Sequence, residues 1–149
     1  MSAAAFKLFN KAKKKLGNAT INLATAHFRA SLFTSASNFA TLTLSAYASL
    51  TNEVTSVASS YSSSGKALTS VLWTVGASAK QYKFIFGNFF WSANTQIAAI
   101  KGVVIWVSGA STNARHVLCT ASLTSTQFNL AAGNRLTITP NASGVFTAV

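Results

Sequence analysis

Ile97-Ala98-Ala99-Ile100-Lys101-Gly102-Val103-Val104-Ile105-Trp106-Val107 is the stretch that decides the fold. It is the longest apolar block in the chain, yet Lys101 interrupts it and it falls short of the ~18 apolar residues of a membrane-spanning helix. Its Val, Ile and Trp content reads as strand. Outward from it, strand signals recur at Thr20–Ala24, His27–Phe33, Ala67–Thr74, Gln81–Phe86, Ala114–Leu123, Arg135–Thr139 and Gly144–Ala148. Turn chemistry separates them at Gly76, Gly87-Asn88, Gly109 through Asn113, Gly133-Asn134 and Pro140-Asn141. Residues 35–60 read as a long excursion with one short helical turn. Short strands at this spacing, with no long helix between them, predict a mainly β fold: an antiparallel β-sandwich or jelly-roll-like barrel of seven to eight strands. Residues 18–149 form a single domain on this reading.

Ahead of the strands, residues 3–16 predict a short N-terminal amphipathic helix, and residues 1–17 a basic arm. Phe6, Phe9 and Leu16 fall near one side, with Lys7, Lys11, Lys14 and Lys15 on the other. Gly17-Asn18 supplies the stop. Like charges at Lys7/Lys11 and Lys11/Lys15 weaken such a helix by a few tenths of a kcal/mol, so it needs a docking surface or counter-charges.

Composition narrows function. The chain has 149 residues, 12 Lys+Arg, one Asp+Glu and a net charge of +11; 50% is hydrophobic and 9% charged. Ordinary domains carry about a quarter charged residues. Paired-carboxylate hydrolysis, carboxylate metal cages and Asp-oriented triads all need side chains this chain lacks. Glu53 is the only acid, and a nearby Arg or backbone amides are expected to hold it. His116-x-x-Cys119 is the one local pairing of metal-capable groups, but positions i and i+3 of a strand face opposite ways, and His27 is the only other soft donor. Cys119 reads as a small buried hydrophobe. No phosphate-binding glycine loop or nucleotide fingerprint occurs. The expectation is a protein without enzymatic activity, metal or cofactor, soluble and made in a reducing cytosol.

The cluster Lys7, Lys11, Lys13, Lys14 and Lys15 is the sharpest local feature. It suits nucleic acid, a membrane surface, an acidic protein partner or a solvated face. Acidic protein is the foremost reading, with Phe6 and Phe9 as part of the contact, and the membrane the least favoured. The aromatic residues Trp73, Trp91, Trp106, Phe84, Phe86, Phe89 and Phe90 read as core or subunit interface. Phe89-Phe90-Trp91 cannot set all three rings on one face of a strand, so at least one is expected to be exposed or packed against a neighbouring subunit.

Taken in order, Phe6 through Leu16, Ile21-Asn22-Leu23-Ala24-Thr25, Ala30-Ser31-Leu32-Phe33-Thr34, Thr51-Asn52-Glu53-Val54, Tyr61 with Gly65, Phe90-Trp91-Ser92, Lys101 through Trp106 and Asn141-Ala142-Ser143-Gly144-Val145 form a series. That series resembles the small head decoration (cement) proteins of tailed bacteriophages over nearly the whole chain. The resemblance implies a virion structural protein made in the host cytoplasm and placed on the capsid surface. Its partner would be the major capsid protein, and it would be a homo-oligomer, trimer or dimer. The chain departs from that pattern at Asn22, Ala24 and Ala26, where the family carries acids, and at Ser64-Gly65, where it carries paired glycines. A nucleic-acid-binding module using the lysine arm, and a tail or fibre component, are the alternatives.

Overall fold

The computed structural model describes residues 5–76, 81–109 and 115–148. Among these, twelve strands and one α-helix follow one another: β1 (Lys7–Leu8), α1 (Asn10–Gly17), β2 (Phe28–Phe33), β3 (Lys66–Ala67), β4 (Leu72–Val75), β5 (Tyr82–Ile85), β6 (Phe89–Ser92), β7 (Ile97–Ile100), β8 (Gly102–Val107), β9 (Val117–Ser122), β10 (Phe128–Leu130), β11 (Arg135–Ile138) and β12 (Phe146–Ala148). A 3-10 turn at Tyr47–Ser49 is the helical turn within the 35–60 excursion. The main sheet runs β1-β9-β8-β2-β3, antiparallel throughout. Three smaller antiparallel sheets pair β10 with β7, β11 with β6, and β12-β5-β4. The architecture is β-sandwich-like and mainly antiparallel. No helix among the described residues is long and apolar enough to cross a membrane.

The deciding stretch is two strands, not one. β7 pairs with β10 and β8 with β2 and β9, so residues 97–107 pass from one sheet to another at Lys101. Ala99 sits at φ 59, and the Lys101 amine donates to the Thr124 carbonyl at 2.9 Å. The Lys101 backbone N–H donates to Phe33 O. β8, and β9 over Val117–Cys119, read as continuous apolar runs because both faces are covered: Val103, Val104, Ile105, Val117, Leu118 and Cys119 are all fully buried.

An aromatic contact holds the β12-β5-β4 sheet to the main one. Phe28 of β2 meets Phe84 of β5 edge-on at 5.1 Å, and Phe84 stacks on Phe146 of β12 at 5.2 Å. Tyr61 reaches Trp91 of β6 at 6.2 Å. Such pairs add about 0.5–1.5 kcal/mol each beyond the area they bury.

Three expectations need correction. Twelve short strands are present where seven to eight longer ones were expected: the 67–74 run divides at left-handed Ser70, the 97–107 run divides at Lys101, and β1, β6 and β10 add to the count. Thr20–Ala24 is a turn: the Asn22 side chain accepts from Ala24 N at 2.9 Å and the Asn22 carbonyl accepts from Ala26 N. Its alternation came from burial alone, since Ile21 and Leu23 face the core. The N-terminal helix starts at Asn10, not at residue 3; Lys7–Leu8 is a strand, and residues 3 and 4 lie outside the described residues. The Lys7/Lys11 repulsion expected within a helix therefore does not arise there.

Gly102 opens β8 beneath the Phe39 ring, where an added Cβ would come within 2.3 Å of that buried ring. Gly102→Ala should lower stability by about 1–3 kcal/mol through overpacking, measured by urea unfolding; an unchanged midpoint would show that Phe39 moves aside freely.

Candidate functional site

The basic segment is built into the sheet. Lys7 and Leu8 pair with Thr120 and Cys119 of β9, Phe9 N donates to Leu118 O at 3.1 Å, and Asn10 N to Leu42 O at 2.8 Å. That last bond supplies the partner the helix start lacks, because Phe9 at the N-cap has no side-chain acceptor. Phe9 and Ala12 are buried. Lys14 and Lys15 occupy the last turn, where positive charge suits the helix dipole.

The five lysines divide. Lys7, Lys11, Lys13 and Lys14 are exposed and make no side-chain hydrogen bond to the described residues. Lys15 is half-buried and turns to His116, with Nζ 2.5 Å from Nδ1. Burial pulls the Lys15 amine below its ordinary value; burial first, and then the Lys15 charge, hold His116 down as well. The two aromatic residues assigned to the contact also separate. Phe6 is half-buried and packs edge-on against Phe86 at 6.1 Å. Phe9 is fully buried, so it is a core residue that anchors the segment and has no surface to offer a partner.

The body of the protein treats its cations differently. Arg29 donates to Gly65 O at 2.9 Å, Lys83 to Ala142 O at 3.0 Å, and Lys101 to the Thr124 and Ser125 carbonyls. Arg115 lies over the Trp106 ring at 5.2 Å, and Lys66 and Arg135 lie over Phe90 at 5.3 and 4.1 Å. Carbonyls and aromatic faces thus take the place of carboxylates.

The single carboxylate has a partner set that sequence reasoning missed. Tyr47 donates to Glu53 Oε2 at 2.5 Å and Tyr61 to Oε1 at 2.6 Å. Phenols, not an arginine or backbone amides, hold it. Burial pushes the Glu53 pKa up, against the pull of those donors. Both tyrosines are raised too, Tyr47 chiefly and Tyr61 first of all by burial, and each additionally by the neighbouring carboxylate. Only the presence of a lone acid in an otherwise uncharged stretch could have signalled this network.

Of the proposed interface residues, Phe89 and Trp91 are buried and Phe90 is exposed, as alternation along β6 requires. Cys119 lies in the core with its thiol pushed up by burial. His116 precedes β9 and faces Lys15, so the two do not converge. No protein-family model, curated protein or solved structure matches the chain.

Acid sensitivity follows from these shifts. The lowered His116 pKa means folding favours the neutral ring, so its contribution is full above ~6.5 and is lost as pH falls below that value. Glu53, being raised, works in the opposite sense and loses its contribution as pH rises through its folded value. Thermal unfolding should therefore show a decline from pH 7 to 5 that His116→Asn flattens; an identical decline in the variant would exclude His116 as its source.

Proposed function

We propose that this protein is a non-enzymatic virion structural protein that binds an acidic surface on the outside of a bacteriophage capsid and strengthens the shell. The observation that carries the reading is the contrast between two populations of cations. Those of the body are engaged by carbonyls and rings, whereas Lys7, Lys11, Lys13 and Lys14 stand exposed on a segment locked to the sheet by β1 and by buried Phe9. A charge cluster on a rigid base loses little entropy on docking. The mainly uncharged Ser, Thr, Asn and aromatic surface can be buried without the desolvation cost of charges.

The mechanism would be mechanical. Packaged DNA presses the shell outward, and a protein bridging neighbouring capsid subunits adds contact area that must be broken before they part. The major capsid protein supplies the acidic patches, and closed symmetry makes the protein a trimer or dimer. Within Phe89-Phe90-Trp91 only Phe90 has surface to give such a contact, because the flanking rings belong to the subunit's own core. The resemblance in sequence order supports the capsid reading over a tail or fibre location.

Combined Lys7→Gln, Lys11→Gln, Lys13→Gln and Lys14→Gln should leave the fold intact and cut occupancy on purified capsids severalfold, measured by quantitative mass spectrometry of the particles. The substitutions fall on exposed positions, so a folded variant with full occupancy would overturn the lysine contact. Copy number tests location: a value that scales with the capsid lattice fits decoration, and one matching the tail or a single vertex does not. Affinity for duplex DNA that falls by orders of magnitude between about 50 and 200 mM salt, with capsid binding absent, would favour the nucleic-acid module instead.

A further inference from the structure

Away from the lysine segment, a groove of about 370 Å³ opens between the 57–66 segment and β6. That volume falls at the lower end of the range of small-molecule sites. Its walls carry Ser59, Ser60, Ser62 and Ser92, the Lys66 side chain and the ring of Phe90. Phe90 is 39% exposed, and the Arg135 guanidinium lies 4.1 Å from its centroid. The lining includes no carboxylate; the one acidic side chain of the chain, Glu53, is engaged elsewhere by Tyr47 and Tyr61.

The groove is held in shape before any ligand arrives. Tyr61 in its floor is tied by Glu53 and by Leu32 N, which donates to the phenol oxygen at 2.9 Å. The Arg29 guanidinium bonds Gly65 O, and at φ +72 an added Cβ on Gly65 would meet Ser31 Oγ at 2.9 Å and Ala30 O at 3.0 Å. Thr95 N donates to Ser60 Oγ at 2.9 Å, and Asn94 Nδ2 to Ser59 O at 3.1 Å, fastening the rim to the segment after β6. With its oxygen accepting from Thr95, the Ser60 hydroxyl has its proton left to donate. Ser59 is held at φ 60, a left-handed conformation that costs a serine energy and persists because its surroundings impose it.

We infer that this groove binds an anionic saccharide: a sugar ring bearing a carboxylate, sulfate or phosphate group. The serine hydroxyls exchange hydrogen bonds with sugar hydroxyls, while Lys66 in the wall and Arg135 beside it, both held over the Phe90 ring, take the anionic group. A single-stranded nucleic acid fits less well, because it needs successive exposed rings; Trp91 and Tyr61 are buried, which leaves one. An acidic peptide would use the cations but leave the ring of serine hydroxyls without purpose. The inference does not rest on the capsid reading: none of the arm lysines lines the groove, and a saccharide there takes Phe90, which then has no surface left for a subunit contact.

The test uses the full chain, labelled for amide NMR, against a panel of uronic-acid, sialylated and sulfated oligosaccharides. The neutral counterparts, inorganic phosphate, tetraglutamate and an oligothymidylate serve as comparators. At least one acidic sugar should shift the Ser62, Phe90 and Ser92 resonances saturably, and bind more tightly than its neutral counterpart and than phosphate. Phe90→Ala and Lys66→Gln should each weaken it about tenfold, equivalent to about 1.4 kcal/mol, while Lys13→Gln with Lys14→Gln leaves it unchanged. Both groove residues are exposed, and unchanged spectral dispersion confirms that each variant is folded. Shifts confined to the lysine segment, no binding by any acidic sugar, or tighter binding of tetraglutamate or the oligonucleotide in the groove would overturn the assignment.

Discussion

The carboxylate of Glu53, held between the phenols of Tyr47 and Tyr61, joins parts of the chain that no strand ladder connects. Its two oxygens bind the 3-10 turn on one side and the 57–66 segment on the other. The network continues inward. Ser31 Oγ lies 3.0 Å from the Tyr47 hydroxyl, whose proton is already given to Glu53, so Ser31 is the donor there. The same Ser31 oxygen accepts from the Trp106 indole at 3.0 Å, and Leu32 N closes the set on Tyr61. Each buried polar atom in this cluster thereby has a partner, which is the condition under which a polar network rigidifies a core rather than weakening it. It also explains why a chain nearly free of acids keeps this one: Tyr47 and Tyr61 would both lose their acceptor without it.

The rest of the charge economy follows from that scarcity. With one acid engaged by phenols, the basic side chains of the body take carbonyl oxygens and aromatic faces. These interactions do not depend on a partner's ionisation. Ordinary acid unfolding, in which paired carboxylates are protonated and release their cations, has no such pairs to act on among the described residues. Ring faces also bring cations to the surface beside apolar area, which is how Lys66 and Arg135 come to share Phe90.

Much of the fold could be read from the sequence because its signals are local. β2 alternates and pairs with β8 over its whole length. β9 stands out by the apolar run Val117-Leu118-Cys119, and the exposure of Phe90 follows from a period of two. What escaped depends on distant partners. Lys7-Leu8 looks helical beside Lys11 and Lys14, yet the free edge of β9 captures it. The break at Lys101 depends on the carbonyls of Thr124 and Ser125, which no spacing rule places there. Of the candidate contact, the exposed lysines were legible from charge alone. The inward turn of Phe9 and the pairing of Lys15 with His116 were not, since each needs the β9 edge alongside. The serine-lined groove left no sequence signal, because serines are spread throughout the chain.

The pairing of β1 with β9 has a consequence for the order in which the molecule assembles. Lys7 and Leu8 pair with Thr120 and Cys119, which lie far along the sequence from them. Contacts of such separation carry a large loop-closure cost and favour slow folding. Until that segment docks, the edge of β9 stays open to any other extended chain. Closing that edge makes the Lys7–Leu8 strand a lock on the finished sheet.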